Sequence, residues 1–121
     1  MTPFGQKVRE LRSTRGIALK AMAHEIGVSP AYLSALEHGR RGAPTWYLVQ
    51  RVISFFNVIW DEADELERLA KVSSPKVTID AGGLSPVVTE AANRFAHAIS
   101  TLSDDDAVSL IRLLSKSCTP R

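Results

Sequence analysis

Residues 18–37 read Ala18-Leu19-Lys20-Ala21-Met22-Ala23-His24-Glu25-Ile26-Gly27-Val28-Ser29-Pro30-Ala31-Tyr32-Leu33-Ser34-Ala35-Leu36-Glu37. Gly27 divides the stretch and permits the positive φ of a tight turn. Ser29-Pro30 is a strong helix start: a serine N-cap, then a proline at the first helical position. Met22, Ile26, Val28, Leu33 and Leu36 supply apolar faces on both sides of the turn, and Ala23 is small where the two helices approach. The pattern predicts two short helices, one over 19–26 and one from Pro30 to about His38, locked at a steep angle.

The pattern continues on both sides. Thr2 and Pro3 open a first helix, Phe4, Val8 and Leu11 form its apolar face, and Gly16 ends it. Residues 39–44 form a loop rich in Gly and Pro. Thr45 caps a fourth helix with the stripe Val49, Val52, Ile53 and Phe56, and Asn57 marks its break. A fifth helix starts near Trp60, with Ile59, Ala63, Leu66 and Leu69 or Ala70 facing inward and an acidic opposite face. Trp46 and Trp60 are expected to seal the core edge. Ser73-Ser74-Pro75 stops the helix, and Lys76-Val77-Thr78-Ile79-Asp80 alternates like one short strand inside a linker.

Ser85-Pro86 starts another helix, and Ser103-Asp104-Asp105-Asp106 caps a last one. The fold class is therefore all-α: a five-helix domain over 1–72, a linker over 73–84 and a C-terminal helical hairpin over 85–121. Two short helices bury too little surface to be stable alone. Val88, Ala92, Phe95, Ile99, Leu110, Ile111 and Leu114 must therefore pack on their own domain or on a second copy, and they are the candidate dimerisation residues.

The 121 residues carry a net charge of only +2, but its distribution is uneven. Residues 1–51 hold eight basic against three acidic residues, whereas residues 52–72 hold two against five. A phosphate-facing surface belongs in the basic first third. The single cysteine, Cys118, excludes an intramolecular disulfide and reads as a free thiol. No apolar run reaches the roughly 20 residues needed to span a bilayer, and the first residues lack a signal-peptide pattern. A cytoplasmic, nucleoid-associated protein is expected.

The stretch 18–37 resembles the helix-turn-helix of the phage-repressor, or xenobiotic-response-element, family. The resemblance spans roughly residues 3–70. It rests on Leu11-Arg12, Gly16, Ala23, Gly27-Val28-Ser29, Leu33-Ser34, Leu36-Glu37, Gly39 and Pro44. It implies a five-helix repressor-type domain that binds double-stranded DNA, and a transcriptional regulator, by family default a homodimeric repressor on a pseudo-palindromic operator. It also implies that Arg12 pairs with Glu37. Carried onto this sequence, the family's base-reading positions are Pro30, Ala31, Tyr32, Ser34 and Ala35; Ser29 and His38 join them as candidate DNA contacts, and from their charge and place Lys20, Arg40 and Arg41 are the expected phosphate contacts.

The chain departs from the family where Ala18 and Leu19 open the second helix, so a side-chain cap and a common phosphate contact are missing there. The third helix also lacks Arg, Gln or Asn at its base-reading positions, the side chains best suited to bidentate pairing. Recognition is expected to lean on apolar contacts and DNA shape. Tyr32 packing on the fourth helix is the structural alternative to its DNA contact. The same weakness of base-reading chemistry motivates a rival reading, a protein-interaction module such as an antitoxin or adaptor. His24, His38 and His97 have no metal-ligand spacing with Cys118 or the carboxylates. No nucleophile–base set or phosphate-cradling loop argues for an enzyme, and no cofactor or small-molecule ligand is expected.

Overall fold

The computed structural model describes residues 1–117. Its order is α1 (Pro3–Arg15), α2 (Leu19–Ile26), α3 (Pro30–Glu37), α4 (Trp46–Phe56), α5 (Trp60–Lys71), α6 (Pro86–Ala98), a 3₁₀ turn (Ile99–Thr101) and α7 (Asp104–Ser117). The chain forms two compact units, Met1–Val77 and a second that begins at Thr78. The expectation for Cys118 lies outside the described residues.

Hydroxyl caps start most of these helices. Thr2 Oγ1 accepts from the Gly5 N–H at 3.0 Å, Ser29 Oγ from Tyr32 at 3.0 Å and Thr45 Oγ1 from Leu48 at 3.2 Å. Ser85 and Ser103 cap α6 and α7 in the same way. Each such bond satisfies a backbone donor that the helix itself leaves unpaired. Ala18 offers α2 no side-chain cap.

Three helices end alike. Gly16, Gly27 and Asn57 take left-handed φ values of 66°, 79° and 55°. The next residue, Ile17, Val28 or Val58, then donates its N–H back into the helix, to Arg12, Ala23 and Ile53 respectively. This cap turns the residue after it onto the helix it closes. Ile17 and Val28 pack against the core and Val58 is buried in it.

The first unit closes around Phe4, Val8, Met22, Leu33, Val52, Phe56 and Leu66, all fully buried. Each of the larger apolar side chains contributes roughly 1.5–3 kcal/mol by leaving water. α3 packs on α1 and α2, α4 on α2 and α5, and α5 returns to α1. Ser73, just beyond α5, is buried; its hydroxyl accepts from the Phe4 N–H at 2.8 Å and donates to the Leu69 carbonyl at 2.6 Å.

Three expectations are corrected. Ile59 does not face inward; it is exposed, because the left-handed turn at Asn57 spends its inward position on Val58. Trp46 and Trp60 do not seal the core edge but are exposed, at 66% and 79%. Residues 76–80 form no strand, and no strand occurs among the described residues. A lone strand has no neighbour to satisfy its backbone groups.

In the second unit, no residue from Ser85 to Lys116 is buried. Val88, Phe95, Ile99, Ile111 and Leu114 are exposed, and Ala92 and Leu110 are half-buried.

Candidate nucleic-acid interface

The interface is built on the α2–Gly27–α3 pair. One face of α3 is committed to the core through Leu33 and Leu36. Its last residue, Glu37, is only 2% exposed and receives Arg12 in a two-pronged contact. Nε reaches Oε2 at 3.2 Å and Nη2 reaches Oε1 at 3.1 Å, while Nη1 donates to the Ile17 carbonyl at 3.4 Å. The planar fork of the guanidinium matches the carboxylate and fixes an angle as well as a distance. α1 thereby holds the far end of α3, and the pairing implied by the family resemblance is present.

The opposite face of α3 is open. Ser29, Pro30 and Ala31 are exposed, while Tyr32, Ser34 and Ala35 are half-buried. The first turn is therefore the most accessible part of the helix. Lys20 is exposed near the start of α2.

Past α3 the chain folds back along its own axis. The His38 N–H and ring Nδ1 both meet the Ser34 carbonyl, at 3.1 and 2.8 Å. Gly39 takes φ 76°, and the Arg40 N–H donates to the Ala35 carbonyl at 2.8 Å. This brings Arg41 back to Tyr32, its guanidinium carbon 5.5 Å from the ring centroid. A guanidinium over an aromatic face is held by the ring quadrupole. Tyr32 is thus half-buried rather than fully exposed: its ring packs against the core and carries Arg41. Arg40 and Arg41 are both exposed.

Two side chains beside this surface are absent from the sequence-derived set. Tyr47 is exposed and Arg51 lies one turn further along α4. With Ser29, Tyr32 and Thr45 they line an open cleft of about 500 Å³. In the sequence, Arg51 counts only as a basic charge; its i,i+4 spacing from Tyr47 is the signal that joins them. Among the described residues, no group of three or more His, Cys, Asp or Glu is placed to hold a metal. No helix there is long and apolar enough to cross a membrane.

A family model described as a helix-turn-helix domain matches residues 3–69, more than half of the chain. The chain is 34% identical over 61 residues to an uncharacterized HTH-type transcriptional regulator, RghRB, of Bacillus subtilis (strain 168), covering 50% of this chain and 44% of that protein. It is 27% identical over 82 residues to the HTH-type transcriptional repressor RghR of the same organism, covering 64% and 61%. It is 28% identical over 68 residues to the HTH-type transcriptional regulator SinR of Bacillus licheniformis, covering 53% and 61%. The chain thus spans about half to three fifths of the length of these relatives. No solved structure matches at the same level of significance.

Proposed function

Because the chain belongs to the helix-turn-helix domain family, of the phage-repressor type, we propose that it is a sequence-specific DNA-binding transcriptional regulator, acting as a homodimeric repressor in the cytoplasm, at the nucleoid. The observation that carries this reading is the rigid α2–α3 pair, with the outer face of α3 open and cations on its flanks. Such a pair lays α3 in the major groove while α2 crosses the backbone. Lys20, Arg40 and Arg41 neutralise phosphates and set the docking register. Pro30, Ala31 and Ala35 meet thymine methyls, Ser34 and His38 offer polar contacts, and Ser29 and Tyr32 border the groove. With no bidentate base reader on α3, groove shape carries much of the discrimination.

We assign residues 1–72 to DNA binding and residues 85–121 to dimerisation, joined by the linker 73–84. Two copies would place their α3 helices about 34 Å apart, one turn of duplex, on a pseudo-palindromic operator. The repressor assignment is supported by the name of one relative, a transcriptional repressor.

Genomic selection of bound fragments followed by mobility-shift titration tests the reading. The parent chain is expected to enrich a common site. The double variant Arg40→Ala, Arg41→Ala should bind it more weakly and with a shallower salt dependence. Failure to enrich any DNA, with stable capture of a protein partner, would favour the interaction-module reading instead.

A further inference from the structure

We propose that Tyr47 and Arg51 of α4 extend the DNA-contacting surface and hold a backbone phosphate beside the first turn of α3. This rests on the DNA-binding reading and deepens it by adding two contacts on a helix outside the helix-turn-helix.

Three observations carry the assignment. The first is juxtaposition. Tyr47 and Arg51 share one open cleft with Ser29 and Tyr32, which open α3. A duplex seated on that turn runs its backbone past the cleft.

The second is charge. No carboxylate lines this cleft. Tyr47 and Arg51 also border an adjoining cleft, but Glu25 lines that one and disfavours an anion there. The same arginine therefore has one side suited to phosphate and one side that is not.

The third is preorganisation. Arg51 Nη1 donates to the Ile26 carbonyl at 3.2 Å, at the end of α2. That single bond anchors the guanidinium against the turn and leaves its other donors without a partner among the described residues. The Tyr47 hydroxyl likewise has no hydrogen-bond partner among the described residues; its ring stands T-shaped to that of Trp46, the two centroids 5.3 Å apart. An arginine fixed at one nitrogen and a free phenol supply the donors that a phosphate accepts.

A fluorescent random-sequence duplex is the appropriate probe, because phosphate contacts do not depend on sequence. Affinity is measured against salt for the full-length parent, Tyr47→Phe, Arg51→Gln and Arg51→Lys, with each variant's melting temperature recorded. Arg51→Gln is expected to weaken binding several-fold and to lower the salt slope by about one per arginine removed, so by about two for a dimer. Arg51→Lys should keep the slope. Tyr47→Phe removes a neutral donor, so it should weaken binding with the slope unchanged.

Binding and slope equal to the parent's in both Arg51→Gln and Tyr47→Phe would overturn the inference while leaving DNA binding intact. A loss of affinity in Arg51→Gln with the parent's slope would also overturn it, since that result marks Arg51 as a structural tether. A parent chain with no salt-sensitive affinity for duplex would overturn the DNA-binding reading and this inference together.

Discussion

Gly5 lies on the first turn of α1 against the backbone of Glu37. A Cβ built there would stand 2.2 Å from the Glu37 carbonyl oxygen and 2.6 Å from its Cα. Backbone cannot yield as a flexible side chain can, so Gly5→Ala should destabilise the chain by about 1–3 kcal/mol, as overpacking of a tight contact does. A fall in the urea midpoint checks this. Glu37 also receives the Arg12 fork while almost fully buried. Glu37→Ala leaves that guanidinium in a partly buried site with no counter-charge, at a cost of about 3 kcal/mol. The double variant Arg12→Ala, Glu37→Ala should lose less than the two single losses added together, and a thermodynamic cycle of the four chains measures the difference. Gly5 and Arg12 both act on α3 from α1, through its last residue. Their loss should also weaken DNA binding, although neither is assigned a contact with DNA.

At the scale of the helices, the weak point is the start of α2. Ala18 takes the extended cap conformation but makes no side-chain bond. Ala18→Ser is expected to stabilise the chain by about 1 kcal/mol, read as a higher melting temperature. The helix ends were legible from Gly16, Gly27 and Asn57 because each relieves or tolerates a left-handed φ. What the turn residues do not reveal by themselves is which neighbour faces inward. After Asn57, both Val58 and Ile59 are apolar and β-branched, and only the bond from the Val58 N–H to the Ile53 carbonyl selects Val58. The exposure of Trp46 and Trp60 has a related cause. Each sits at the first position of its helix, and its direction follows the entry angle of the chain rather than the helical period.

At the scale of the molecule, the second unit exposes apolar side chains on both α6 and α7 and buries none of its described residues. A second copy packed on those faces would remove them from water, which is the physical ground for assigning dimerisation to them. Deleting residues 85–121 is therefore expected to give a monomer by sedimentation or light scattering. The shortened chain should also bind operator DNA much more weakly, because it loses the coupling between half-sites. A truncated chain that stays fully dimeric would refute the assignment.

Local chemistry alone determined much of this protein. Hydroxyl caps, left-handed stops and 3.6-residue periodicity depend on near neighbours, so α1 to α7 and the helix-turn-helix could be read directly from residue order. Long-range relations were decided by the tertiary structure. The approach of α1 to Glu37, the stacking of Arg41 on Tyr32, and the meeting of Tyr47 and Arg51 with the first turn of α3 join segments that periodicity treats separately. These relations arise from how a core of limited volume is shared among five helices, and spacing within one helix carries no record of that packing.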